Sequence, residues 1–387
     1  MQTIYLDNAA TSFPKAPGVP EAMSHYLMDV GGNPGRGSYA PVTQAELKTL
    51  TLREKLCAFF QSSDPEACIF TGGATAGLNL VLKGILQPGD HVLVSAMEHN
   101  AVMRPLHQLS GVQIEKVPCD AEGVMSAEAL ITRIRPETRM VCLTHASNVC
   151  GTLLPVEAVG EECHARGIPF VVDAAQTAGH VPVSLERFHA SALVLPAHKG
   201  LLGPQGVGAV LMREAFAHRV LPLITGGTGS RSDQETQPEE LPDKFEAGTQ
   251  NTPGIYGFLA AMEYVAPRLN EICAQTMWLT ERFLAGVISL PHTRLLGKAT
   301  LEGRVPVISL DFTDQDNAMV ADRLAREFGI FTRCGLHCAP SAHRTLGSFP
   351  QGSVRFSIGA FNTQEEIDRT LEALRIILTD RKSFAQF

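Results

Sequence analysis

Between residues 67 and 212 the chain repeats one unit, a short apolar run followed by a stretch with helical spacing. Seven runs recur: "ACIF", "HVLVS", "VQIEKV", "RMVCLTH", "IPFVVD", "ALVLP" and "GAVLM". Segments between them, such as "AGLNLVLKGIL" and "PVEAVGEECHARG", fit amphipathic helices. This alternation predicts an α/β domain with a mostly parallel, seven-stranded sheet. Ligands of such sheets collect at the carboxyl ends of the strands.

From about 214 to 253 the sequence turns polar and rich in Gly, Pro and Glu, which predicts a long loop. A helical stretch follows over roughly 254–285. The remainder reads as a smaller α+β domain: strand "RVPVISLDF", helix "NAMVADRLAREFG", strands "IFTR" and "SVRFSI", and helix "TQEEIDRTLEALRIIL". The expected division is 15–260 for the large domain, with 1–14 and 261–387 forming the small one. A net charge of −8 without a long basic run argues against nucleic acid or an anionic membrane as partner. No apolar run approaches the roughly 20 residues of a membrane span, and the first residues lack the pattern of a signal peptide. Nine scattered cysteines do not form a disulfide framework and suit a reducing cytoplasm.

Several strand ends carry residues with chemical potential. "CIFTGGATAGLNLVLKG" is a strand, a small-residue turn and a helix; Ala74, Thr75 and Ala76 fall at the helix start, where free N–H groups favour an anion. "FVVDAAQTAGH" places Asp173 at a strand end, either as a helix cap or as a carboxylate aimed at a cleft, with Gln176 three residues on. Lys199 follows "ALVLP" inside the glycine-rich "HKGLLGPQGVG". It is either a solvated lysine or a partly desolvated amine of lowered pKa, as Schiff-base chemistry requires. His198 beside it is a loop residue or a ligand contact. In "RCGLHCAPSAH" two cysteines and two histidines lack a second pair at zinc-finger spacing, so no metal is expected. A loop cysteine beside Arg333 and His337 suits a nucleophile better. Arg355, inside the apolar "SVRFSI", is a structural ion pair or a clamp for a substrate carboxylate.

An anion-binding helix start, a carboxylate, a lysine and an arginine together are the parts for pyridoxal 5'-phosphate (PLP). With those residues set out, the chain resembles the class V branch of the fold-type I PLP-dependent transferases, and within it the cysteine desulfurases and selenocysteine lyases. The resemblance runs in order through "YLDNAATS", "MEHNA", "SNVCGT", "VVDAAQTAGH", "AHKGLLGPQGVGAVL", "FEAGTQNT" and "RCGLHCAP…VRFSIGAFNTQEEID". It implies that Lys199 binds the cofactor as an imine and moves the Cα proton, and that Asp173 pairs with the ring nitrogen. Gln176 would meet the ring's phenolic oxygen and His99 would stack on the ring. Thr75, His198 and the Ala74 amide would hold the phosphate, with Thr249 reaching it from the other subunit of a homodimer. Asn148 and Arg355, with Arg333 nearby, would bind the substrate carboxylate. Cys338 would take sulfur from L-cysteine, or selenium from L-selenocysteine, as a persulfide, releasing L-alanine.

Two departures stand out. Family members often carry hydroxyl residues where this chain has Ala74 and Pro196, and each lost donor costs about 1.5–3 kcal/mol of phosphate binding. Cys338 lies only 17 positions before Arg355, a short loop of the kind that implies a dedicated sulfur-acceptor protein, as in iron–sulfur cluster assembly. Cys334 is an extra thiol that either receives sulfur or is inert. Competing readings are another class V enzyme (aminotransferase, epimerase or other lyase), for which Cys338 has no role, and a scaffold that kept the fold without activity.

Overall fold

The computed structural model describes residues 3–379. A short strand β1 (Ile4–Tyr5) precedes β2 (Cys68–Thr71), β3 (His91–Ser95), β4 (Gln113–Val117), β5 (Thr138–Thr144), β6 (Phe170–Asp173), β7 (Ala192–Pro196) and β8 (Gly208–Met212). The last seven, each arising from one of the apolar runs, form a single sheet in the order β2-β8-β7-β6-β5-β3-β4. Only β8 runs antiparallel to its neighbours; the other pairings are parallel. β4 is the half-exposed edge and carries Glu115 and Lys116, charges that discourage further pairing.

Alternate residues of each strand feed two different cores, as the pleat requires. Val92, Val94 and Val210 pack beneath the helices Ala74–Ile85 and Asn100–Gln108. Leu93, Ala209 and Leu211 face the other way, toward the helices Ala40–Phe60, Val156–Ala165 and Thr252–Val265. Both faces are therefore covered, which is why these strands read as continuous apolar runs.

The C-terminal part adds β9 (Thr293–Leu296), β10 (Val307–Phe312), β11 (Ile330–Phe331), β12 (Arg333–Gly335) and β13 (Ser353–Ser357). Four of them form an antiparallel sheet, β12-β13-β10-β9, while β11 pairs in parallel with β1. Ile4 and Leu6 thus join a third core with Phe283, Leu310, Phe356 and Leu374.

Three expectations need correction. "IFTR" is not one strand: Ile330–Phe331 pairs with β1, and Arg333–Gly335 pairs with β13. The helical stretch after 253 is two helices, Thr252–Val265 and Leu269–Ile288, joined by a 3₁₀ turn at Ala266–Arg268. Pro267 inside that turn lacks an N–H and breaks the α ladder. The polar segment after β8 opens with a one-turn helix, Glu214–Ala217, before becoming irregular.

Candidate active site

The carboxyl ends of the parallel strands converge on one cleft with a cavity volume of about 150 Å³. Its lining brings together Ala74, Thr75, His99, Asn148, Asp173, Gln176, His198 and Lys199. Pro196 lines it as well, so the two positions without hydroxyls both face this space.

Lys199 follows β7 in a turn whose backbone packs against residues 178–180. A Cβ on Gly200 would lie 2.4 Å from the Ala178 oxygen, and one on Gly179 only 2.2 Å from the Gly200 oxygen. Gly179 also has φ +87°, so glycine is required there twice over. Burial pushes the Lys199 amine down to about 8; the Asp173 carboxylate opposes this, and the Arg355 and Arg333 guanidinium groups add to it. Among the described residues its Nζ has no hydrogen bond.

Asp173 closes β6 and is 3% exposed. Its Oδ1 accepts from the Ala175 amide at 2.9 Å. Burial raises its pKa, while that amide and the Lys199 charge restrain the rise. No helix begins here; turns follow, and Gln176 Nε2 donates to the Ala9 oxygen at 3.1 Å. The capping alternative for both residues is thereby removed.

After β3, His99 caps the helix Asn100–Gln108, its Nδ1 accepting from the Ala101 amide at 3.0 Å. That bond leaves the proton of the neutral ring on Nε2. Burial, then the Lys199 charge, lowers its pKa to about 4, so the ring is neutral at physiological pH. Across the cleft, the twelve-residue helix Ala74–Ile85 starts at Gly73 with no side-chain cap. Its first-turn amides are free to receive an anion.

Arg355 on β13 is 1% exposed. It donates from Nη2 to Asp7 Oδ1 at 2.8 Å and from Nη1 to the Asn148 oxygen at 3.1 Å, while Nε is buried without a partner. Asn148 Nδ2 in turn donates to the His337 oxygen at 2.6 Å. Cys338 is exposed, with Sγ 3.7 Å from Arg333 Nη2, and its carbonyl accepts from the Asn100 amide at 2.7 Å. The cysteine loop is therefore tied to the residue after His99. Cys334, on β12, is partly buried and packs on the third core.

One candidate stands apart. Thr249 is exposed in the irregular segment after β8 and does not line this cleft within one chain. Two acids without a role predicted from sequence are buried or paired at the site. Asp7 of "YLDNAATS" anchors Arg355, and Glu98 of "MEHNA" is fully buried under the cleft. The signal available for Glu98 was an acid directly after the apolar "VLVSAM".

Comparison with known proteins matches the family profile "Aminotransferase class-V" over residues 4–370. The chain belongs to this class V family. Its relatives include a probable cysteine desulfurase of Methanothermobacter thermautotrophicus, 34% identical, the match covering 97% of this chain and 94% of that one. The cysteine desulfurase IscS of Methanosarcina thermophila is 30% identical over 96% of this chain and 91% of its own. Among solved structures, the apo cysteine desulfurase of Thermococcus onnurineus NA1 superposes with a TM-score of 0.91 at 30% identity, covering 97% of this chain and 94% of that one. In this class V chain no helix among the described residues is long and apolar enough to cross a membrane.

Proposed function

We propose that this class V protein is a PLP-dependent cysteine desulfurase that converts L-cysteine to L-alanine and leaves sulfur on Cys338 as a persulfide. The observation that carries the reading is the junction of two features. A half-buried lysine, a buried carboxylate and an uncapped helix start share one cleft, and a thiol loop is bonded to Asn148 of that cleft and to Asn100, the residue after His99.

The residues fit the cofactor. His198 Nδ1, Asn148 Oδ1 and Arg355 Nε are buried polar atoms without partners, and such atoms mark places where a polar ligand restores hydrogen bonds. The amides at 74–76, Thr75 and His198 would hold the phosphate, with Thr249 of a second subunit in a homodimer completing it. Lys199 would hold the aldehyde carbon, and Asp173 and Gln176 the ring nitrogen and phenolic oxygen. When bound, the cofactor supplies an electron-withdrawing ring conjugated to the substrate Cα.

This chain's own residues do the rest. The Asp173 carboxylate keeps a proton on the ring nitrogen. Neutral His99 presents Nε2–H to the cleft, and the Lys199 amine, with its pKa near 8, moves the proton at Cα. Arg355 and Asn148 orient the substrate carboxylate, with Arg333 nearby. Cys338 Sγ then attacks the substrate sulfur: an S–S bond forms, the C–S bond breaks, and its electron pair stays with the carbon skeleton. That skeleton takes up protons and departs as alanine. The persulfide passes to a thiol of an acceptor protein, as iron–sulfur cluster assembly requires, and L-selenocysteine is an alternative substrate of the same geometry. All nine cysteines are free thiols, in keeping with a reducing cytoplasmic setting, and the division at 14/15 and 260/261 is our reading of the domains.

Purified holoenzyme given L-cysteine and a thiol reductant should release sulfide and alanine in equal amounts, and Cys338→Ala should abolish sulfide release. Amino transfer to a keto acid without sulfide would instead identify another class V activity.

A further inference from the structure

The cysteine loop is strained, and one of the residues that hold the strain lines the cleft. The Ala339 amide donates to the Leu336 oxygen at 2.9 Å, closing a four-residue turn around His337 and Cys338. Both central residues are left-handed, with φ +49° and +59°. Positive φ at both centres defines a type I′ turn, which ordinarily calls for Asn-Gly. A side chain with a Cβ in this region disfavours it by roughly tenfold per residue, so a His-Cys pair stays there only because something else over-determines it.

Three contacts do so. Asn148 Nδ2 holds the His337 carbonyl at 2.6 Å, the Asn100 amide holds the Cys338 carbonyl at 2.7 Å, and the buried His337 ring meets Ser353 Oγ at 3.1 Å. Asn100 and Ser353 belong to the scaffold. Asn148 differs, because it also lines the cleft, and its Oδ1 is buried without a partner. It is bridged to Arg355, which donates to the Asn148 carbonyl and keeps an unpartnered Nε.

We propose that Asn148 is a latch: a substrate carboxylate arriving at Arg355 draws the Asn148 amide away from the His337 carbonyl, and the strained turn carrying Cys338 relaxes and frees the thiol to move. The direction follows from acceptor strength, since an ionised carboxylate accepts a hydrogen bond about twice as strongly as a neutral carbonyl. The turn then keeps two of its three holds, the Asn100 amide and the His337–Ser353 contact, against two left-handed residues. The thiol becomes mobile only when an amino acid is in place, which guards Cys338 from wandering in the empty enzyme. The inference rests on the function proposed above for Arg355 and Asn148, and it extends that function to the timing of the cysteine loop.

Hydrogen–deuterium exchange of the holoenzyme at the Ala339 amide, whose bond to the Leu336 oxygen closes the turn, tests it, with L-alanine as a sulfur-free probe carrying the same carboxylate. Saturating L-alanine should accelerate exchange there roughly tenfold. Asn148→Ala should show the fast rate without any ligand. Cys338→Gly, which removes the steric cost at φ +59°, should suppress most of the alanine-induced acceleration, and it keeps the test decisive should Asn148→Ala fail to fold. Unchanged exchange at alanine concentrations that visibly shift the cofactor's absorbance would overturn the latch. So would an Asn148→Ala protein that exchanges like the parent. If alanine shifts no absorbance at all, it is the proposed function that fails, and the ligand-free comparison of Asn148→Ala with the parent still decides the latch.

Discussion

Glu98 sits between the ends of β3 and β5, fully buried. Its Oε1 accepts from Ser95 Oγ at 2.6 Å, and both oxygens lie 3.0 Å from the Thr144 amide. Burial outweighs these bonds and, with the Asp173 charge adding to it, lifts the carboxyl from 4.5 to about 8. The folded protein thus keeps a proton that the unfolded chain loses between those values. Stability from this group is complete below the lower value and is lost as pH climbs toward the upper one. At about 1.4 kcal/mol per pH unit, raising the pH from about 5.5 to about 7.5 removes about 2–3 kcal/mol through Glu98 alone. Glu98→Gln keeps an oxygen acceptor for Ser95 and Thr144 and cannot ionise. Urea unfolding of parent and variant holoenzyme at both pH values isolates the effect, since titrations of groups that do not interact with Glu98 cancel in the difference. The parent should lose about 2–3 kcal/mol more than the variant. Equal losses would mean that Glu98 is charged in the folded protein and that the reasoning about burial is wrong.

Two further substitutions probe the cleft. Arg355→Lys keeps the charge but loses the planar fork, and it should raise KM for L-cysteine about tenfold or more while leaving kcat within a few-fold, as read from steady-state sulfide release. Gly179→Ala places a Cβ 2.2 Å from the Gly200 oxygen at φ +87°; it should destabilise the protein by about 2–4 kcal/mol in thermal or urea unfolding and weaken cofactor retention by displacing the Lys199 turn.

The central sheet was legible because strands covered on both faces are apolar throughout, and all seven runs became strands. The long helix Ala40–Phe60 was not, since exposed Leu47 and Leu50 interrupt the stripe formed by Val42, Ala45, Leu52 and Leu56. β1 and β11 have only two residues each and exist through a pairing more than 320 positions apart in the chain, which no local pattern announces. In the cleft, Asp173 and Lys199 were visible as polar residues at the ends of apolar runs. Glu98 and Asp7 were not singled out, because their roles depend on what lies across the fold: Thr144 for one and Arg355 for the other. The contact of Asn148 with the cysteine loop was equally invisible, since Asn148 and His337 are 189 residues apart and meet only in the folded chain.

The whole account depends on a covalent bond between the cofactor and one amine. Borohydride reduction of holoenzyme, followed by protease digestion and mass spectrometry, should find the pyridoxyl group on the peptide containing Lys199 and on no other lysine. A pyridoxyl group on a different lysine, or a protein that takes up no pyridoxal phosphate, would contradict it.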